Sequence, residues 1–310
     1  MRLGFTLLED EKRSRQGPMV QKSTIQLSQY EAAYIDLKPP DEWAAQGSPV
    51  LLFLHGFLGE SSLWQSLMER LTNPYRCIAL DLLGFGGSSK PKLKYTIWHQ
   101  TAFLSEFIDA LQLQNVILIG HSYGGWTSAA FAIEQANMAS SVITNLVLIA
   151  PAGIRDDSFV GRYNYMRPVL WETPVIDWVL SGLKPLAKVT GQQKTYEQVA
   201  MARREFGKQP VAKSFIVDRL RPEDAIDTVE KDIHKISVPT LVIAGAQDTT
   251  IPLWHCETYG QGVSGAQFEV LPEADHDLIR TDCDSIAHLI KTFINIPSSR
   301  RYKGRHREGE

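Results

Sequence analysis

The sequence predicts an α/β protein, in which a mostly parallel, doubly wound sheet has helices on both faces and an inserted helical cap. Three patterns along the 310 residues support this prediction. Buried strand patterns alternate with helical patterns up to residue 153, helical patterns without a convincing buried strand fill residues 154–236, and the alternation then resumes. Such alternation is typical of parallel sheets whose helices connect successive strands.

The first strands are expected to be antiparallel. Residues 24–37 alternate between apolar and polar side chains, which favours one or two antiparallel strands. The preceding residues 1–24 are polar and charged, and they predict a flexible leader.

Passages of strand followed by helix or loop come next. Continuous apolar runs, typical of strands buried on both faces, occur at residues 50–56, 75–84, 115–120 and 143–153. Helical patterns follow three of these runs, at residues 62–71, 98–113 and 122–136. We therefore expect a parallel sheet in this part of the chain.

The remaining residues divide into an insertion and the end of the sheet. Residues 154–236 are rich in aromatic side chains and broken by prolines, which predicts a helical cap. The core domain would then comprise residues 25–153 and 237–296, with further strands at 238–248 and 266–276 and a terminal helix. The charged residues 297–310 predict a disordered tail.

Composition excludes several classes of protein. A net charge of −3 gives no reason to expect nucleic acid or an anionic membrane as partner, and no stretch reaches the ~20 apolar residues that span a bilayer. Cys77, Cys256 and Cys283 are too scattered for a disulfide framework or a Cys-x-x-Cys metal site. With a poor secretory signal at the N-terminus, these features favour a cytoplasmic protein that acts on a small molecule. The oligomeric state stays open.

Ser122 is the first candidate for chemistry. It lies in a Gly-x-Ser-x-Gly sequence between a buried strand pattern and a helical pattern. This context holds a serine side chain above the edge of a sheet on a sharp turn. Tyr123 would begin the helix, so its backbone N–H would point towards a developing oxyanion. The alternative is a tight turn whose glycines only allow a helix to pack closely on the sheet.

Two residues far along the chain are suitable partners for this serine. A serine hydroxyl needs a base, and the base needs a carboxylate that fixes its tautomer. His276 follows the last predicted strand, and Asp248 follows the strand before it. Both are therefore expected at the carboxyl edge of the sheet, where Ser122 lies. Asp156, after the strand pattern at residues 143–153, is a second candidate for the acid.

The chain resembles the α/β-hydrolase fold superfamily, in its capped branch, over roughly residues 25–295. The resemblance is carried by "FLHGF", "ALDLLGFGGSS", "GHSYGG", "VIAGAQD" and the late "ADH". It implies a catalytic triad of Ser122, Asp248 and His276. It also implies an oxyanion hole made by the backbone N–H groups of Phe57 and Tyr123.

The resemblance further implies acyl transfer to water, without a metal or an organic cofactor. A carboxylic ester, thioester or lactone of a small hydrophobic molecule is the favoured substrate, as in carboxylesterases. Serine at position 122 argues against the branches with an aspartate nucleophile, the haloalkane dehalogenases and epoxide hydrolases. Carbon–carbon bond hydrolases and acyltransferases with the same triad remain alternatives. A small-molecule receptor and an inactive scaffold of this fold also remain open.

The predicted cap would form the substrate pocket. His55, at a strand end, is a further candidate for a substrate contact, although its pair with Gly56 could be a simple strand-end turn. The aromatic and apolar candidates for the lining are Phe159, Tyr163, Tyr165, Met166, Trp171 and Trp178. An equally good interpretation is that these side chains pack the cap onto the core.

Two other sequences bear on the site. Asp275 stands where many relatives carry glycine, and Asp277 follows His276; these carboxylates would raise the proton affinity of the histidine if they face it, or else be solvated.

Residues 81–89 contain a Gly-x-Gly-x-x-Ser sequence. Because Ser89 replaces the third glycine and no helix pattern follows, nucleotide binding is disfavoured.

Overall fold

A computed structural model describes residues 21–40, 48–138, 140–156, 173–207, 210–214 and 227–295. These residues belong to two units. One unit is built on a large sheet, and the described part of the other comprises Gln21, Lys92–Lys94 and the helices within residues 173–214.

Within the described residues the sheet has eight strands. In chain order they are β1 Ser23–Gln26, β2 Glu31–Leu37, β3 Val50–Leu54, β4 Arg76–Leu80, β5 Val116–His121, β6 Ile143–Ile149, β7 Thr240–Gly245 and β8 Gln267–Leu271. Their order across the sheet is β1-β2-β4-β3-β5-β6-β7-β8. The pairs β1–β2 and β2–β4 are antiparallel, and the other neighbours are parallel. The prediction of a mostly parallel sheet with an antiparallel start is confirmed.

Burial of the strands follows their positions in the sheet. Strands β3, β4, β5 and β7 are buried along almost their whole length, as their continuous apolar sequences predict. The edge strands β1 and β8 are partly or largely exposed. The hydrophobic core therefore surrounds β5 and β7, the strands that precede Ser122 and Asp248.

The helices complete the two units. In chain order they are α1 Gln65–Leu71, α2 Ile97–Ala110, α3 Tyr123–Gln135, α4 Pro174–Val189, α5 Gln193–Gly207, α6 Pro210–Lys213, α7 Leu253–Gly262, α8 Leu278–Thr281 and α9 Cys283–Asn295. In the sheet unit α1 packs against α9, while α2 packs against α3 and α3 against β5 and β6. Helices α1 and α9 thus form one packing group and α2 and α3 another, as expected when helices cover both faces of a doubly wound sheet.

The helical unit contains α4, α5 and α6. Helix α4 packs against α5, and Arg203 of α5 forms an ion pair with Asp177 of α4 at 2.6 Å. These helices agree with the helical patterns in the sequence. The predicted cap boundaries at residues 154 and 236 stay a prediction. Most of the predicted leader and the whole predicted tail lie outside the described residues.

Two further predictions can be compared with the structure. The three cysteines are buried and form no disulfide, and burial raises the pKa of the Cys256 thiol to about 12. Among the helices of the described ranges, none is both long enough and apolar enough to cross a bilayer.

Candidate active site

Ser122 occupies a strained turn between β5 and α3. Its φ of 53° and ψ of −115° lie in a region that a non-glycine residue rarely adopts, at a typical cost of about 1–3 kcal/mol. A Cβ atom at Gly120 would collide with the carbonyl oxygen of Gly124, and one at Gly124 would collide with that of Leu54. The glycines therefore allow both the close packing of α3 and the raised serine.

A chain of hydrogen bonds connects the three candidate residues. His276 Nε2 lies 3.0 Å from Ser122 Oγ, and His276 Nδ1 lies 2.7 Å from Asp248 Oδ2. The other oxygen of Asp248, Oδ1, accepts hydrogen bonds from the backbone N–H groups of Thr250 and Ile251, each at 2.8 Å. Because the buried carboxylate accepts a hydrogen bond from Nδ1–H, the Nε2 atom presents its lone pair to the serine hydroxyl.

The sheet brings these residues together over a long sequence separation. Ser122 and His276 are 154 positions apart, yet Ser122 follows β5, Asp248 follows β7 and His276 follows β8. Strands β5 to β8 are consecutive and parallel, so their carboxyl ends meet at one edge. The three positions predicted from sequence therefore lie side by side.

His121 supports the loop that carries His276. Its Nε2–H donates to the backbone carbonyl of His276 at 3.1 Å, and the two rings lie 4.8 Å apart between centroids. Burial, followed by the nearby His276, lowers the pKa of His121 well below its usual range, so the ring stays neutral. Sequence reasoning missed this contact, although His121 directly precedes the candidate nucleophile.

The predicted oxyanion residues lie next to Ser122 on two elements. Tyr123 is the first residue of α3, where backbone N–H groups have no acceptor within the helix itself. Gly56, which precedes Phe57, lies so close that an added Cβ atom would be 3.2 Å from Ser122 Cβ. The rings of Phe57 and Tyr123 are in edge contact, with centroids 6.0 Å apart. Their role as oxyanion donors stays a prediction.

His55 holds the backbone beside the predicted oxyanion residues. Its ring is buried, with Nδ1 donating to the carbonyl of Gly56 at 2.7 Å and Nε2 accepting the N–H of Leu82 at 3.0 Å. Burial lowers its pKa and favours the neutral ring. Both ring nitrogens are hydrogen-bonded to the backbone of the protein. These bonds do not favour the substrate contact that the sequence predicts for His55.

The glycine-rich turn at residues 81–89 wraps around a carboxylate of its own. Asp81 is buried and accepts hydrogen bonds from the backbone of Ser61 at 2.5 Å and Gly87 at 2.7 Å, and from Lys22 Nζ at 2.8 Å. Burial raises the pKa of Asp81, but hydrogen bonds from Gly87, Lys22 and Ser61 bring it below its ordinary value. The backbone N–H of Gly87, a donor that a bound phosphate would need, is therefore already bonded to Asp81.

Asp156, the second candidate for the acid, and the two carboxylates beside His276 lie in different surroundings. Asp156 Oδ2 is 3.4 Å from Nε2 of His255, a histidine of α7, so this carboxylate is paired with another imidazole. Asp275 is exposed and accepts the N–H of Asp277 at 2.8 Å, while burial raises the pKa of Asp277. The ring nitrogens of His276 are hydrogen-bonded to Asp248 and Ser122 instead.

The predicted lining residues are only partly covered by the structure. Phe159, Tyr163, Tyr165, Met166 and Trp171 lie outside the described residues. Trp178 lies on α4 and is 72% exposed. A role for these side chains in substrate binding stays a prediction.

Comparison with known proteins identifies the family. A family model described as "alpha/beta hydrolase fold" matches residues 49–281, most of the chain. The chain belongs to the alpha/beta hydrolase fold family. This confirms the resemblance noted in the sequence, and it agrees with the mostly parallel sheet.

Several hydrolases are similar to the chain over most of their length. A 2-hydroxy-6-oxo-6-(2'-aminophenyl)hexa-2,4-dienoic acid hydrolase of Metapseudomonas resinovorans is 25% identical, covering 81% of this chain and 86% of that protein. A 2-hydroxy-6-oxo-2,4-heptadienoate hydrolase of Pseudomonas putida is 29% identical, covering 74% and 83%. The crystal structure of a hydrolase from Pseudomonas aeruginosa PA01 has a TM-score of 0.66 at 21% identity, covering 89% and 99%. Because its sequence identity is only 21%, the Pseudomonas aeruginosa structure supports the fold alone.

Proposed function

We propose that the protein is a serine hydrolase that cleaves an ester-type bond, in a carboxylic ester, thioester or lactone of a small hydrophobic molecule. The observation that carries this proposal is the chain of hydrogen bonds from Ser122 through His276 to Asp248, at 3.0 and 2.7 Å. Such a chain supplies a nucleophile, a base with the correct tautomer and a buried carboxylate that stabilises the imidazolium.

In the first half-reaction Ser122 Oγ attacks the carbonyl carbon as its proton moves to His276 Nε2. The charge on the carbonyl oxygen is stabilised by the backbone N–H groups of Phe57 and Tyr123, each worth about 100- to 1,000-fold in rate. His276 then gives its proton to the leaving oxygen or sulfur, and an acyl-enzyme at Ser122 remains.

The second half-reaction repeats the proton transfers with water. His276 Nε2 removes a proton from a water molecule, which attacks the acyl carbon, and then returns the proton to Ser122 Oγ. Throughout both steps Asp248 Oδ2 accepts a hydrogen bond from Nδ1–H of His276 and keeps that nitrogen protonated. The carboxylate is held in place because its Oδ1 atom accepts hydrogen bonds from the backbone N–H groups of Thr250 and Ile251.

A carbon–carbon bond hydrolase is the second candidate. The two curated relatives are named as hydrolases of 2-hydroxy-6-oxo-dienoates, and they are similar to this chain over most of its length. Hydrolysis at the ketone of such a molecule must break a carbon–carbon bond, because the carbonyl carbon has no oxygen or sulfur leaving group. The same serine would attack the ketone, but the leaving carbanion would need additional stabilisation.

One experiment distinguishes the two candidates. We expect the wild-type protein to hydrolyse p-nitrophenyl esters with a preference among acyl chain lengths, and Ser122→Ala to lose this activity while keeping the wild-type thermal unfolding curve. A kcat/KM for 2-hydroxy-6-oxo-2,4-heptadienoate above that of every ester would favour the second candidate. Wild-type turnover by Ser122→Ala would reject both.

A further inference from the structure

Helix α4 of the helical unit carries an exposed apolar face. Six large apolar side chains share it, each three or four residues from another: Val175, Trp178, Val179, Leu183, Leu186 and Val189. Residues at this spacing lie on one side of an α-helix. Trp178 is 72% exposed, Leu186 56% and Val189 85%. Soluble proteins rarely leave a contiguous apolar surface of this extent open to water unless it binds something.

The same side of α4 offers almost nothing for directional recognition by another protein. The other residues that share this side are Gly182, Pro185 and Thr190, by their helical spacing. The Thr190 hydroxyl already donates to the carbonyl of Leu186 at 2.9 Å. Protein interfaces typically have about one hydrogen bond per 100–200 Å², so a face with the Trp178 indole as its one remaining polar group fits a partner without fixed polar groups.

Positive charge lies on the remainder of the helix. Lys184 and Lys188 are exposed on α4, and Lys194 is exposed near the start of α5. The one acidic residue of α4, Asp177, is paired with Arg203. Helix α4 therefore combines an apolar side with a side that carries two lysines and one carboxylate, a net positive charge. This combination suits a surface whose outer layer is anionic and whose interior is apolar.

We infer that α4 binds the surface of a phospholipid bilayer that contains anionic lipids. The apolar side would enter the boundary between headgroups and acyl chains, with Trp178 in the region that tryptophan prefers, and the lysine side chains would reach towards the headgroups. At 16 residues the helix would lie along the surface rather than cross it. In this arrangement Trp178 contacts lipid, which is a different role from the substrate contact predicted from the sequence.

The test is co-sedimentation of the full-length protein with vesicles of phosphatidylcholine, with and without phosphatidylglycerol. We expect binding that is stronger with phosphatidylglycerol and weaker at high salt. Leu186→Ser and Val189→Ser should each weaken partitioning about tenfold, because each removes a large apolar side chain from the membrane. Met138→Ser is the matched control, since Met138 is also 56% exposed but lies in the sheet unit; it should bind like the wild type.

Several results would overturn the inference. One is a wild-type protein that stays in the supernatant with both vesicle compositions, and another is an equal loss of binding in the Met138→Ser control. Light scattering that shows a wild-type dimer, converted to monomer by Leu186→Ser, would assign the face to a second copy of the chain instead. Binding does not depend on the proposed hydrolysis, because the experiment can be repeated with Ser122→Ala.

Discussion

Replacement of Asp248 with asparagine is expected to invert the tautomer of His276. In the native site one carboxylate oxygen accepts the N–H groups of Thr250 and Ile251, and the other accepts Nδ1–H of His276. An asparagine side chain must keep its single oxygen on the two backbone N–H groups, so its NH₂ group faces Nδ1. The imidazole then has to accept at Nδ1 and carry its proton on Nε2, where no lone pair remains for the proton of Ser122.

The expected loss is large and affects kcat rather than KM. Inversion of this tautomer typically lowers kcat by about 10,000-fold, or about 5.5 kcal/mol of transition-state stabilisation. Steady-state kinetics with the best p-nitrophenyl ester from the acyl-chain series would measure it, with thermal unfolding as the test for an intact fold.

Asp156→Asn is the matched control for this substitution. Asp156 also follows a strand of the sheet, but its carboxylate is 3.4 Å from His255. The variant should therefore keep kcat within a few-fold of wild type. If Asp248→Asn stayed within about tenfold of wild type while Asp156→Asn lost most of its activity, the acid would be Asp156, and the role given to Asp248 would be wrong.

Two further predictions concern stability and its dependence on pH. His121 has a lowered pKa in the folded protein, so the unfolded state binds more protons below about pH 6.5. The free energy of unfolding of the wild type should therefore decrease as the pH falls below that value, by up to about 1.4 kcal/mol per pH unit for each such histidine. The free energy of unfolding, measured with urea at several pH values, should change less with pH in His121→Asn than in the wild type. The exposed His288→Asn variant should show the same change with pH as the wild type. An equal change with pH in all three proteins would contradict the neutral state of His121. Asp81→Asn should cost about 3 kcal/mol at neutral pH, because it leaves Lys22 without its buried partner, and Asp284→Asn, at an exposed ion pair, should cost much less. Since the pKa of Asp81 is below the ordinary 3.8, the difference between wild type and Asp81→Asn should be complete above that pH and disappear as the pH falls below it; a constant difference would refute the account of the charge.

The sheet and the candidate triad could be predicted because each depends on local sequence and a general rule of topology. A continuous apolar run such as residues 50–54 indicates a buried strand by itself. Parallel strands then place the residues that follow them at one edge, which is how Ser122, Asp248 and His276 could be associated across about half of the chain.

Helix α7 was not predicted from the sequence. Its residues Leu253–Gly262 mix polar side chains with two glycines, and the pattern does not show one apolar face. The buried side chains His255, Cys256 and Tyr259 anchor the helix through tertiary packing, which local periodicity does not report.

Contacts between distant loops were also beyond the sequence. The hydrogen bond from His121 to the carbonyl of His276 depends on the path of a loop 155 residues away. The apolar face of α4 shows a different limit: a helical apolar pattern is the same whether the face is buried or exposed, so only the structure reveals that Leu186 and Val189 are open to solvent.

Labelling with a fluorophosphonate, followed by peptide mass spectrometry of the modified residue, tests whether Ser122 is the nucleophile. The reagent reacts with a serine whose hydroxyl is activated by a neighbouring base, so we expect one adduct, on Ser122. The adduct should be absent from Ser122→Ala and form much more slowly in Asp248→Asn. An active protein whose adduct lies on another serine, or one that stays unlabelled while it hydrolyses esters, would contradict the account.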